Sequence, residues 1–130
     1  MKSITFLLFS AIFCFSLTSA YVPLRGYDRI TSQEEIARIN YLIKSGATAA
    51  LDLAAADEVI GDDDADRYHI DRVKYVSKQY RDADEVTSYF AEVRLVNPED
   101  ENVRADLGFV VDKSDRNGKL NLRAYKIQFD

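Results

Sequence analysis

Two runs of β-type residues, Tyr68 to Tyr80 and Val86 to Val96, flank the charged stretch Arg81-Asp82-Ala83-Asp84-Glu85, and together they read as a β-hairpin. Within Thr87 to Leu95 the odd positions Tyr89, Ala91, Val93 and Leu95 are apolar, with Ser88, Glu92 and Arg94 between them. That period of two belongs to a strand with one buried face, and Phe90 is the residue that breaks its polar side. A sheet with one apolar face must bury it against a second layer.

The stretch before the hairpin supplies that layer. Thr31 and Ser32 each have a glutamate three residues on, Glu34 and Glu35, the pattern of a capping box at a helix start. Ile36, Ile39, Ile43, Ala47, Ala50 or Leu51, and Ala54 then recur at spacings of three and four, one apolar face along the whole helix. Gly46 costs about 1 kcal/mol relative to alanine inside a helix. It marks either a close approach to the sheet or a break into two pieces, and the unbroken phase of the stripe favours close packing. From Asp57 to Asp66 acidic residues crowd the negative end of the helix dipole and stop it. Asp62, Asp64 and Asp66 raise the idea of a calcium loop, but the EF-hand positions for glycine and glutamate hold Arg67 and Val73. An acidic solvated loop is the commoner reading.

After the hairpin, Asn97 to Asn102 is a polar turn, and Val103, Ala105, Leu107, Phe109 and Val111 alternate with Arg104, Asp106, Gly108 and Val110. Asn117-Gly118 is the pair that favours a two-residue hairpin turn. Leu120, Leu122 and Ala124 share one parity and Tyr125, Ile127 and Phe129 the other, so a bulge is expected near Ala124 and Tyr125. The fold class expected is therefore α+β: one long helix packed across a four- or five-stranded antiparallel sheet.

At the start of the chain, Met1-Lys2, the apolar run Ile4 to Leu17 and the small residues Thr18-Ser19-Ala20 have the form of a secretory signal peptide, residues 1–20. A single domain over residues 21–130 follows, with Tyr21 as its first residue. The expected location is extracellular, with no membrane span. Cys14, the single cysteine, falls in the leader, so the mature chain is expected to be disulfide-free and to fold on its core alone. Without Lys2 there remain 16 basic against 22 acidic residues, a net charge of −6 that argues against nucleic acid as a partner and towards extracellular proteins.

Residues suited to catalysis are sparse. His69 is the one histidine, no Gly-x-Ser-x-Gly elbow occurs, and the carboxylates gather in turns where water keeps them ionised. The chain reads as a non-enzyme with no cofactor and no metal. An enzyme remains the distant third reading, which a conical tyrosine-lined pocket between helix and sheet would raise.

Val76-Ser77-Lys78-Gln79 followed by Thr87 to Leu95 resembles the strand, glutamine loop and strand at the centre of cystatins, and Gly26 ahead of Ser32-Gln33-Glu34-Glu35 is similar to the glycine in that family's N-terminal lead. The resemblance implies the cystatin-like fold and inhibition of papain-like cysteine proteases through a wedge. In this chain its parts would be Gly26, the first loop with Gln79, Tyr80, Arg81 and Asp82, and the second with Asn117 and Gly118. An up-and-down meander puts both loops at one end of the sheet and the Pro98 turn at the other. The family's Gln-Val-Val-Ala-Gly is replaced here by a loop about three residues longer and charged, and its Pro-Trp is absent from the second loop. Charges entering a cleft unpaired lose several kcal/mol each in desolvation, so weak inhibition is expected. A non-inhibitory interaction or ligand-binding module of the same fold is the alternative.

Overall fold

The computed structural model describes residues 5–7 and 26–130, with the side chains of 5–7 and of Glu101 left undescribed. Cys14 and the expected cleavage point after Ala20 lie outside that range. The chain runs β1 (Thr5–Leu7), β2 (Asp28–Arg29), α1 (Gln33–Arg38), α2 (Asn40–Ala56), β3 (His69–Arg81), β4 (Val86–Asn97), β5 (Asp100–Ser114) and β6 (Leu120–Phe129). The strands form one sheet in the order β1-β6-β5-β4-β3-β2, with every pairing antiparallel.

The expected α+β layout holds, with two differences in its parts. The sheet has six strands, because the two-residue β2 joins one edge and Thr5–Leu7, within the segment read as a leader, joins the other. The helical layer is two pieces and not one long helix. Ile39 leaves helical geometry, at φ −98° and ψ 10°, between α1 and α2. At Gly46 the helix is continuous and the residue is packed on the sheet, the close approach that the unbroken phase of the stripe favours. A Cβ there would stand 2.4 Å from Phe109 Cε2 and 2.6 Å from Val111 Cγ2, so glycine is what lets α2 lie this close to β5.

Ser32 caps α1, its hydroxyl accepting from the Glu35 backbone N–H at 3.3 Å. The Glu35 carboxylate reaches across to the Lys78 ammonium on β3, tying the helical layer to the sheet. The core lies between the layers. Leu42, Ile43, Ala47, Ala50, Leu51 and Ala54 of α2 are buried with Tyr89, Ala91, Val93 and Leu95 of β4 and with Ala105, Leu107, Phe109 and Val111 of β5. Leu42 is a full member that the apolar stripe omitted, while Ile36 is only partly buried.

The sheet's other face is not purely polar. Phe90 meets Tyr75, Val110 and Ala124 in a second buried cluster, with Tyr27 packed against it. The Arg29 guanidinium lies 5.0 Å from the Tyr75 ring centroid, within cation–π range.

The expected bulge is found one residue early. Val110 pairs with Ala124 and Val111 with Leu122, leaving Arg123 as the extra residue of β6. It inverts the parity of everything beyond it. Leu120 and Leu122 before it, and Tyr125, Ile127 and Phe129 after it, consequently all belong to the helix side.

Candidate functional site: the hairpin end

The β3–β4 turn is compact. Arg81 is the last residue of β3, Asp82–Asp84 make a single 3-10 turn, and Glu85 closes it at φ 52°, a left-handed conformation that L-residues other than Asn, Asp and Gly rarely adopt. The expected loop of five charged-stretch residues is thus shortened by one at its start.

The β5–β6 connection corrects the two-residue turn expected at Asn117-Gly118. Ser114 N–H donates to Lys119 C=O, which leaves Asp115-Arg116-Asn117-Gly118 as a four-residue loop. Gly118 alone of the two has a positive φ, 72°, and Gly118 N–H donates to Ser114 C=O at 2.8 Å. Asn117 plays a different part: its side-chain oxygen accepts from Lys119 N–H at 2.9 Å, a local bond that makes a second positive φ unnecessary.

These two tips are bonded to each other. Asp115 N–H donates to Glu85 C=O at 2.9 Å, Thr87 Oγ1 donates to Asp115 Oδ1 at 3.1 Å, and the Arg116 guanidinium pairs with Glu85 at 2.8 Å. Gly26 joins them from the other side. β2 pairs with β3 at Asp28–Lys78 and Arg29–Ser77, and Gly26, at φ 83°, approaches Gln79 so closely that a Cβ would stand 2.5 Å from its Nε2. Gly26, Gln79, Tyr80, Arg81, Asp82, Asn117 and Gly118 therefore share one end of the sheet, and the Pro98 turn is at the other. Tyr80 is 57% exposed there, the most exposed of the large hydrophobic side chains described.

Asp112 is the anchor of this end, and the alternation of β5 alone did not single it out. Its carboxylate accepts from Arg123 Nε at 3.1 Å and Nη2 at 2.7 Å and from Ser88 Oγ, and Arg81 Nη2 stands 3.6 Å away. Burial opposes its ionisation, but the bonds from Arg123 and Ser88 and the nearby Arg81 charge prevail and hold its carboxyl below the usual range. Arg81 is consequently tied both to Asp112 and, at 3.9 Å, to Asp84. Of the charges in this loop, Arg81 and Glu85 each have an ion-pair partner within the chain, Asp112 and Arg116. The alternation at the start of β6 was the available signal, because Leu120 and Leu122 on the helix side put Asn121 and Arg123 on the face shared by Ser88 and Asp112.

His69 is exposed at the far end of β3. Among the described residues no cluster of three or more His, Cys, Asp or Glu has a metal-holding arrangement, and Asp64 instead accepts from Gly61 N–H. No described helix is long and apolar enough to cross a membrane. Comparison with known proteins finds no matching family model, no similar curated protein and no similar solved structure.

Proposed function

We propose that this chain is a secreted, cystatin-like protein-binding domain that presents its hairpin end to a partner protein, and that papain-like cysteine proteases are the partner class to test first. The observation that carries the reading is the bond between the two hairpin tips, from Asp115 N–H to Glu85 C=O, beside a glycine packed on Gln79. Tips locked together before an encounter lose little conformational entropy on binding, which is a prerequisite for a rigid wedge. The cystatin resemblance supplies the protease class, and the element order of lead, helical layer and antiparallel meander is in keeping with it.

Within that reading the unaltered protein inhibits weakly. Asp82 and Asp84 sit at the exposed apex of the first tip, where Asp84 has only the long ion pair to Arg81 Nε at 3.9 Å, a guanidinium shared with Asp112, to carry into a protease cleft. Removing such ions from water costs several kcal/mol each when they go unpaired, by the general cost of ion desolvation. Those same two carboxylates favour a second reading, a non-inhibitory module whose partner offers basic groups opposite the tip.

Titration of a papain-like protease with the purified protein, and with a variant in which Tyr80 to Val86 is replaced by Val-Val-Ala-Gly, separates the two. The wedge reading expects weak or no inhibition by the parent and strong inhibition by the graft, with unchanged circular dichroism. A folded graft that gains nothing removes the protease and leaves the basic-partner reading. Tight inhibition by the parent would mean that the acidic apex meets complementary charge on the enzyme.

A further inference from the structure

At the sheet end remote from the hairpin tips, the chain leaving α2 does not close against the strands. A cleft of about 890 Å³ remains between the stretch 55–64 and the ends of β3, β5 and β6. This lies within the 300–1,000 Å³ typical of small-molecule sites. Val59, Ile60, Val103, Tyr68 and Phe129 make its apolar wall, the last two as a tilted ring pair with centroids 6.4 Å apart. It contains a single tyrosine and opens at the domain's end, unlike the conical tyrosine-lined pocket that would favour an enzyme.

The polar part of the lining has a marked sign. Glu58, Asp62, Asp64 and Asp130 face Arg104 as the one basic residue. Asp130 is already committed to the Arg94 guanidinium. The lining keeps Glu58, Asp62 and Asp64, the last also accepting from Gly61 N–H, and the Asp64 charge adds to burial in pushing the Tyr68 phenol up. A cation held there meets carboxylates, while the apolar wall with its two aromatic rings is left for an apolar body.

We propose that this cleft binds a small cationic amphiphile, with an apolar body against Val59, Ile60, Val103 and Phe129 and an ammonium or amidinium group at Glu58, Asp62 and Asp64. The site is separate from the hairpin end, so its occupancy and protease binding can fail independently.

Three probes with the same eight-carbon tail test it below their micelle concentrations: octyltrimethylammonium, octanoate and octyl glucoside. Titrated into the full protein and followed by NMR, the ammonium should saturate one site and move the signals of Tyr68, Val103 and Phe129. Octanoate should bind at least tenfold more weakly. The double variant Glu58→Gln, Asp62→Asn should weaken the ammonium at least fivefold while leaving octyl glucoside unchanged, and neither substitution touches the core. Equal affinity for the anion, an unaffected ammonium in the double variant, shifts confined to the hairpin end, or no saturable binding would each overturn the proposal.

Discussion

Replacing Gly46 by alanine sets two well-defined effects against each other. In an exposed helix the change stabilises by about 1 kcal/mol, because glycine carries excess backbone entropy in the unfolded chain. Here the added methyl has nowhere to go. It would stand 2.4 Å and 2.8 Å from two ring carbons of Phe109 and 2.6 Å from Val111 Cγ2. Phe109 is fully buried and Val111 is 1% exposed, so neither can swing into solvent to make room. Overpacking a dense core costs about 1–3 kcal/mol, and contact with two immobile side chains at once places this case at the upper end. Subtracting the helix gain leaves a net loss of roughly 2 kcal/mol, or about 8 °C in melting temperature for a domain of this size. Urea denaturation of the Gly46→Ala protein measures it. A double-mutant cycle with Phe109→Leu adds a sharper check, since the smaller side chain should be less harmful in the alanine background than in the parent. If Gly46→Ala is as stable as the parent or more so, α2 does not lie against β5 as described, and the glycine is merely tolerated.

Ile43→Ala should cost about 2–5 kcal/mol in the same assay, because Ile43 is fully buried between α2 and the sheet; a loss under about 0.5 kcal/mol would put it on the surface. Gly118→Val should lower stability by about 1–2 kcal/mol through backbone strain alone, since φ is 72° and no atom lies within 4 Å of the new Cβ. Gly118→Asn should lose less, and equal losses would show that bulk rather than φ is responsible. Asp112 is held below its ordinary value of 3.8, so its contribution is fully present above that value and fades as pH falls through the lowered one. Asp112→Asn should therefore be less stable than the parent at pH 7, by about 2 kcal/mol for bonds to charged partners. The difference should narrow on acidification below about pH 4, and a gap that stays constant to about pH 2 would deny Asp112 its role as an ionised anchor.

Much of this architecture was legible because local patterning and tertiary packing agree. The alternation from Tyr89 to Leu95 names the residues that face the helix, and the parity change late in β6 announces a bulge. The failures have physical causes. Nothing in the spacing of Ile36, Ile39 and Ile43 signals the break at Ile39, since the stripe is apolar on both sides of it. Asn-Gly favours a two-residue turn by local propensity, but Ser114 and Lys119 close a longer loop, and the register of β5 on β6 decides between them. The hairpin end was located by topology, whereas its ties, Asp112 to Arg81 and Arg123, join residues on three different strands and are set by the registers of those strands.

That bulge also determines which changes of length the last hairpin will accept. Arg123 is the extra residue itself, so deleting it leaves Leu122 opposite Val111 and Ala124 opposite Val110 and keeps Tyr125, Ile127 and Phe129 on the helix side. Deleting Lys126 beyond it, with the pairing up to Tyr125 kept, would instead turn Ile127 and Phe129 out and Gln128 into the core. The four-residue loop before it has no such constraint, for its apex projects free of the layers. Deletions should thus partition sharply along this short segment, tolerated at Arg116 and at the extra residue Arg123 and lethal to folding at Lys126, so that a library built by varying chain length would mark the bulge as the place within β6 where a residue can be dropped.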